Sequence, residues 1–432
     1  MRQRTAGTKK GGAEASKKGS TATQPDAAKK KKAPAAPQGT DAGTLASKVL
    51  KRTIFGALLV FMFAFLLYLG HFWVSLLVVL IQTLVFREVV SLRYKQSQAV
   101  EEEKGKKLLP LFRTINYYFL LTSYFWIYGE PLLDLIAVRY TEYAFLAHYH
   151  LWLSFSLYVI GFVGFVLSLK KGYFFFQFQQ FAWTLMTLGL VVVQSSVIIN
   201  NIYEGLFWLL LPHSLIICND IMAYFCGLAL GRRFIKKKLT KLSPNKTWEG
   251  FIGAAIFTLL FAFYFSGLLS QYNYFICPKV DLGINTPSNL ECTPDEVFLP
   301  HSYVLPPALS SFLRNSFGVE RTQFTVLPIQ LHSILFALFA SIIAPFGGFF
   351  ASGLKRAFSI KDFDSIIPGH GGVTDRMDCQ MITGLCVYVH LRTFIKPAAV
   401  TVGALLGHAA MLPRPQLIEL RDQLDKLIQG RI

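Results

Sequence analysis

Nine stretches of the chain are apolar almost without interruption: residues 53–70, 72–90, 115–136, 151–169, 181–199, 205–230, 251–269, 331–346 and 381–395. Each is near the length of about 17–25 residues that carries an α-helix across a bilayer. The pattern predicts an all-α, polytopic membrane protein with about nine transmembrane helices. The polar segments between them differ in charge. Basic residues concentrate at 87–113, at Lys170 and Lys171, and at 232–246, whereas 200–204 is poor in charge. Lys and Arg mark the cytosolic side. These basic segments, with the tail before Thr53, share one side if every stretch crosses once. The longest segment on the other side is 270–330, rich in Pro, Ser and Asn.

Composition agrees with that class. The 432 residues are 53% hydrophobic and 15% aromatic, and only 16% are charged, against roughly a quarter in soluble domains. The net charge of +18 is uneven, because thirteen Lys or Arg face three acids between Met1 and Arg52. That Lys/Ala/Gly/Pro-rich segment has too little apolar surface to fold, so residues 1–50 read as a disordered basic cytosolic tail. It has no apolar core for a secretory signal and too little Arg for a transit peptide. Attraction to anionic headgroups is one role for it. A solvated tail that helps set topology is the preferred reading.

Six cysteines form no CxxC pair and no zinc spacing. Cys218, Cys226, Cys379 and Cys386 lie in or beside apolar stretches and read as small core residues. Cys277 and Cys292 share the far-side segment in an oxidising compartment, where a disulfide and two free thiols both stay open. Beyond residue 396, Leu417, Leu420, Leu424, Leu427 and Ile428 recur at helical spacing before Gly430. Residues 397–432 therefore read as a C-terminal segment with a surface amphipathic helix.

Three places carry chemistry. Asp220 is an acid within an apolar stretch, and intramembrane carboxylates are expensive and usually functional. Asp220, Tyr224, Gly227 and Gly231 fall on one helical stripe, with Asn219 alongside. The glycines would let a backbone or a substrate approach. A packing face with a buried, protonated acid is the plainer alternative. Next, the basic run from Arg232 to Lys246 ends in Ser243-Pro-Asn-Lys246-Thr-Trp-Glu249-Gly250, which sets a hydroxyl, a Lys and a second hydroxyl on a helix entry, a place that binds anions. The densest cluster is 352–378. Ser352, Lys355 and Arg356 share a helical face, and Lys361 and Asp362 follow. Pro368-Gly-His370-Gly371-Gly372 frees backbone N–H groups to cradle a phosphate. Asp375 and Asp378 sit at i, i+3 beside Arg376. Two carboxylates would repel a phosphate unless a divalent cation lay between, and oxygen ligands suit Mg²⁺. His370 reads as an acid–base group or, equally, as a turn-packing or phosphate-bonding residue.

The run Ser352-x2-Lys355-Arg356-x4-Lys361-Asp362-x7-His370-Gly371-Gly372-x2-Asp375-Arg376-x-Asp378 resembles the full signature of the phosphatidate cytidylyltransferases, or CDP-diacylglycerol synthases. Arg52-Thr-Ile-Phe-Gly, Asn219-Asp220-x2-Ala223-Tyr224, Ser243-Pro-x-Lys246-Thr-Trp-Glu249-Gly250 and the approach from Pro345 to Ser352 resemble the eukaryotic branch, over roughly 51–395. The resemblance implies an enzyme that makes CDP-diacylglycerol and pyrophosphate from CTP and phosphatidic acid, with Mg²⁺ as cofactor and membrane lipids around it. It implies a catalytic set of Lys355, Arg356, Lys361, Asp362, His370 and Arg376. Asn219, Tyr224, Ser243, Lys246, Ser352, Gly371 and Gly372 would bind substrate, and Asp375, Asp378 and Asp220 would hold metal. On this reading 51–396 is the catalytic domain, with a lumenal loop at 270–330 and a cytosolic signature at 352–378. The endoplasmic reticulum membrane, an active site on the cytosolic face and a homodimer are implied too, with no nucleic-acid partner. There are departures. Bacterial members carry an acid four residues before the signature Ser, where this chain has Gly348. Asp364 stands where those members usually have a small residue, and 233–242 is longer and more basic than expected.

Two rivals make different demands. A transporter would show internal repeats and paired broken helices, and no repeat is visible. Another CTP-using lipid enzyme, such as a polyprenol kinase, would share the fold without the complete signature. The chain has no Gly-x4-Gly-Lys-Ser/Thr and no Asp-Gly pair to open a CDP-alcohol phosphatidyltransferase motif.

Overall fold

The computed structural model describes residues 42–103, 111–139, 142, 144–237, 239, 246–279, 290–317, 323–368, 371–396, 409 and 412–430. Its long helices, in chain order, are α1 (Ala42–Leu69), α2 (His71–Glu103), α3 (Leu111–Arg139), α4 (His150–Leu167), α5 (Phe174–Tyr203), α6 (Phe207–Leu230), α7 (Trp248–Leu269), α8 (Pro328–Ile342), α9 (Pro345–Ala357), α10 (Thr374–His390) and α11 (Arg414–Gln429). Lipid offers backbone groups no hydrogen-bond partner, so apolar runs of this length satisfy their own as helices. Among the described residues, seven are long and apolar enough to cross a membrane, with the α8–α9 run Pro328–Ala357 counted as one. The chain is thus an all-α, multi-pass membrane protein. The expected nine crossings also included α3, which carries charged residues, and α10, which carries Asp375, Arg376 and Asp378 in its first turns and runs on as a π-helix over Leu391–Ile395.

Several boundaries differ from the apolar pattern. The first helix starts at Ala42, inside the segment read as disordered. Its Ala, Leu and Lys are good helix formers and extend the span backward. The stretch 181–199 sits within a 30-residue helix, α5, whose turns Leu188–Val193 widen into a π-helix. Residues 331–346 form no single rod: α8 stops at Ile342, and Pro345 opens α9, because proline lacks an N–H and suits a first helical turn. The tail up to residue 41 and residues 397–408 lie outside the described residues.

The bundle centres on α6, which packs most extensively on α7, with α8 against both. Phe207, Trp208, Leu211, Leu215, Phe336 and Val387 fill this core. Polar side chains join helices inside it: Gln82 Nε2 donates to Ser195 Oγ at 2.9 Å, Thr184 Oγ1 to Asn116 Oδ1 at 2.8 Å, and Ser266 Oγ to Ser333 Oγ at 3.2 Å. Such bonds and small residues hold membrane helices together where hydrophobicity gives no preference between neighbours and lipid. Large apolar side chains such as Phe61, Trp152, Phe155 and Leu228 are exposed, the surface a bilayer would cover.

The segment after α7 carries a two-stranded antiparallel ribbon, β1 (His301–Val304) with β2 (Gln323–Val326), His301 opposite Val326. Cys277 and Cys292 are joined in a disulfide, which resolves the open alternative. At the same end, Lys396 pairs with Glu204 at 2.9 Å and Asp295 at 3.0 Å, and Arg392 pairs with Glu204 at 3.0 Å. The π-helical turn that continues α10 (Leu391–Ile395), with Lys396 after it, is thereby tied to this loop and to the end of α5.

Candidate active site

The site forms at the opposite end, where α6 meets α7. A methyl group on Gly250 would lie 2.8 Å from Ala223 O and 3.2 Å from Gly227 Cα, and one on Gly253 would lie 2.7 Å from Cys226 Sγ. The glycine stripe on α6 thus accommodates a backbone, that of α7. Thr247 caps α7, accepting from Gly250 N at 3.2 Å. Glu249 Oε1 accepts from Phe234 N at 3.0 Å and Ile235 N at 2.7 Å, which pins the start of the basic segment onto the helix entry. These contacts close a pocket of about 560 Å³ lined by Asn219, Asp220, Tyr224, Lys246, Phe349 and Arg376 among others. Lys246 and Arg376 both act electrostatically on Asp220. The Lys246 ammonium also rests 4.9 Å from the centre of the Phe349 ring. Asn219 is buried and accepts from Thr258 Oγ1 at 3.5 Å.

The signature is built around Asp375. Its Oδ1 pairs with Lys355 Nζ at 2.5 Å, and its Oδ2 accepts from Phe363 N at 3.1 Å and Gly372 N at 3.2 Å. One carboxylate thereby joins α9, the loop after it and α10. Gly371 turns that loop at φ +87°, a conformation glycine adopts without strain. It exchanges backbone bonds with Ile367 at 3.0 and 3.2 Å. The next two amides, Val373 N and Thr374 N, each donate at 2.8 Å to the fully buried Glu88 of α2.

The cradle expected at Gly371 and Gly372 is therefore already filled. A helix start attracts anions, and here carboxylates of the protein itself occupy it. Arg356, Lys361, Asp362 and Arg376 are exposed and Ser352 is half-buried, so the basic members of the signature other than Lys355 are accessible. Ser243 and His370 lie outside the described residues.

The three candidate metal ligands divide. Asp375 is engaged as above, whereas the charge of Asp220 acts on Asp378. Asp378 lies outside the seven long apolar helices. Burial, opposed by hydrogen bonds from Cys379 and the Lys355 charge and reinforced by the Asp220 charge, raises its carboxyl above its ordinary value. Among the described residues no three His, Cys, Asp or Glu side chains gather closely enough to cage a metal ion. Mg²⁺ does not require such a cage, since it is commonly held by one or two carboxylates, waters and substrate phosphates. Asp220 and Asp378 fit that need. Thr374 Oγ1, buried with no hydrogen-bond partner, is a spare oxygen beside Asp378 on the wall of a neighbouring cavity. A methyl on Gly348 would lie 3.5 Å from Asp378 Oδ2, so the position that carries an acid in bacterial members faces Asp378 here.

Sequence reasoning missed Glu88, Glu249 and the Lys355–Asp375 pair. For Glu88 the signal was available, an acid inside the apolar stretch 72–90. For the other two, spacing along the chain identified the residues and left their partners open.

Comparison with known proteins identifies the family. A family model described as Cytidylyltransferase family matches residues 50–394. A Dictyostelium discoideum protein named "Probable phosphatidate cytidylyltransferase" is 47% identical over 383 residues, 88% of this chain and 78% of its own. Human "Phosphatidate cytidylyltransferase 1" is 44% identical over 348 residues, covering 80% and 72% of the two chains. The Saccharomyces cerevisiae "Phosphatidate cytidylyltransferase" is 42% identical over 385 residues, covering 88% and 80%. With residues 50–394 matched by the family model and relatives 42–47% identical over most of its length, this chain belongs to the cytidylyltransferase family.

Proposed function

We propose that the protein transfers the cytidylyl group of CTP to phosphatidic acid, giving CDP-diacylglycerol and pyrophosphate for phospholipid synthesis. The observation that carries this reading is the pocket lined together by Asp220, Lys246 and Arg376, with the Asp220 charge also acting on Asp378. The relatives' names supply the reaction, and they favour neither a polyprenol kinase nor a transporter.

A phosphate oxygen of phosphatidic acid attacks the α-phosphorus of CTP. The bond from that phosphorus to the oxygen bridging the β-phosphate breaks, and pyrophosphate departs with the electron pair. The attacking oxygen is already ionised near neutral pH, so no general base is needed. The barrier lies largely in bringing two anions together, which positioning and fixed positive charge lower. Lys246 and Arg376 line the pocket and oppose the phosphate charge, while exposed Arg356 and Lys361 supply further positive charge for the departing pyrophosphate. Asp375 holds Lys355 and the loop in register. Asp220 and Asp378 are the residues that would hold Mg²⁺, which when bound neutralises phosphate oxygens as a Lewis acid.

The cytosolic face and the endoplasmic reticulum membrane belong to the same proposal. The first is supported by the basic segment at the pocket end of α6 and α7 and by the disulfide at the other. A homodimer without nucleic acid completes it and is checked by sizing the detergent-solubilised protein. The test of function is purified protein with labelled CTP, phosphatidic acid and Mg²⁺. Lipid-extractable label should appear only when all three are present. Label incorporated without phosphatidic acid, or equal turnover of a polyprenol, would overturn the assignment.

A further inference from the structure

We propose that Glu88 is a positioning residue for the cytidylyl transfer, fixing the height and rotation of the helix that carries Asp375, Arg376 and Asp378. The inference rests on the function given above. Glu88 lies on α2, is fully buried, and gives one carboxylate oxygen to each of two successive amides, Val373 N and Thr374 N, at 2.8 Å. A methyl on Gly372 would lie 2.9 and 3.1 Å from those two oxygens, so the carboxylate is wedged against the turn it holds.

Packing alone does not call for an acid here. A carboxylate within a membrane-spanning helix is costly, and an apolar side chain would fill the same space. A serine or threonine cap satisfies one amide and leaves the helix free to turn about that bond. Two oxygens on two adjacent amides remove that freedom, and the charge faces the positive end of the helix. Asp375 follows the gripped amides by one residue and Asp378 by four, so any rotation or slip of the first turn moves both carboxylates relative to Asp220 and Lys355. A misplacement of about an ångström is enough to cost roughly 10²-fold in rate.

The test compares full-length Glu88→Gln, Glu88→Asp and Gly372→Ala with Gln82→Leu. Gln82 is also buried on α2, but its side chain bonds Ser195 and Tyr128, away from the signature. Unfolding midpoint, kcat, and KM for CTP and phosphatidic acid are measured in detergent micelles, with kcat expressed per folded molecule. Glu88→Gln faces one amide with an NH₂ group in place of an oxygen. It should lower kcat and kcat/KM together by about 10²-fold. Glu88→Asp, which keeps both oxygens, should recover part of that loss. Gly372→Ala, whose methyl would press on both Glu88 oxygens and on Asp364 N at 3.0 Å, should reproduce the kcat defect, and retention of kcat in it counts against the inference if the Glu88 variants do not fold. Gln82→Leu should lose stability and keep kcat. The inference is overturned if the Glu88 and Gly372 variants that fold keep kcat within about twofold of the parent, or if Gln82→Leu shows the same kcat loss. A parent enzyme that makes no CDP-diacylglycerol would refute the functional reading, separately from the role of Glu88.

Discussion

The Lys355–Asp375 pair allows a quantitative test of what Asp375 does. Its partners lie 2.5, 3.1 and 3.2 Å away, and the two side chains are only 19% and 10% exposed. Solvent therefore screens the pair little. Asp375→Asn keeps one acceptor for the amides of Phe363 and Gly372 but strands the Lys355 charge in a largely dry site. Removing one partner of a buried pair costs about 3–5 kcal/mol. The remaining exposure puts this case near the lower end, at roughly 3 kcal/mol. Lys355→Met leaves Asp375 with its two amide donors, so the loss should be smaller, about 1–2 kcal/mol. The double variant removes both charges, and its cost should fall short of the sum by about 1–3 kcal/mol. Stability of the four proteins is read from reversible denaturation in detergent micelles, alongside activity titrated with Mg²⁺. The expected pattern is strong coupling in stability with little change in the Mg²⁺ concentration giving half-maximal activity. Additive stability losses, together with a Mg²⁺ requirement raised only by Asp375→Asn, would refute the reasoning and return Asp375 to the metal.

Asp220→Asn and Asp378→Asn should behave in the opposite way, each raising the Mg²⁺ requirement by at least the ~10–100-fold that losing an outer partner of a metal ligand costs, with folding retained. Gly250→Ala, whose methyl would meet Ala223 O at 2.8 Å, should cost about 1–3 kcal/mol by overpacking and weaken CTP use. Gly164→Ala on α4, with nothing within 4 Å, should be neutral or stabilising by roughly 0.5–1 kcal/mol; thermal midpoints compare the two. Cys277→Ser should lower stability by about 2–4 kcal/mol and make the unfolding midpoint insensitive to reducing agent, to which the parent should respond.

Much of the architecture could be read from the residues, because a bilayer imposes one simple demand. Long apolar runs become helices, and an acid such as Asp220 stands out against them. The signature's spacing likewise placed Lys355, Asp375 and Asp378 near one another. What spacing leaves open is rotation and distant partnership. Asp375 and Asp378 are three residues apart, yet Asp375 pairs with Lys355 while Asp378 accepts from Cys379 N at 2.7 Å. Gly227 read equally as a seat for substrate or for backbone, and only the neighbouring Gly250 decides between them. The amides at Gly372 and beyond looked open to phosphate because nothing nearby in the chain announces Glu88.

The separation between Glu88 and Val373 is 285 residues, which bears on how the protein is made. While the ribosome is still translating the middle of the chain, α2 has entered the membrane with an acid whose partners do not yet exist. That acid lacks these partners until the start of α10 arrives. A chain truncated before residue 373 leaves that carboxylate without either of its amide partners.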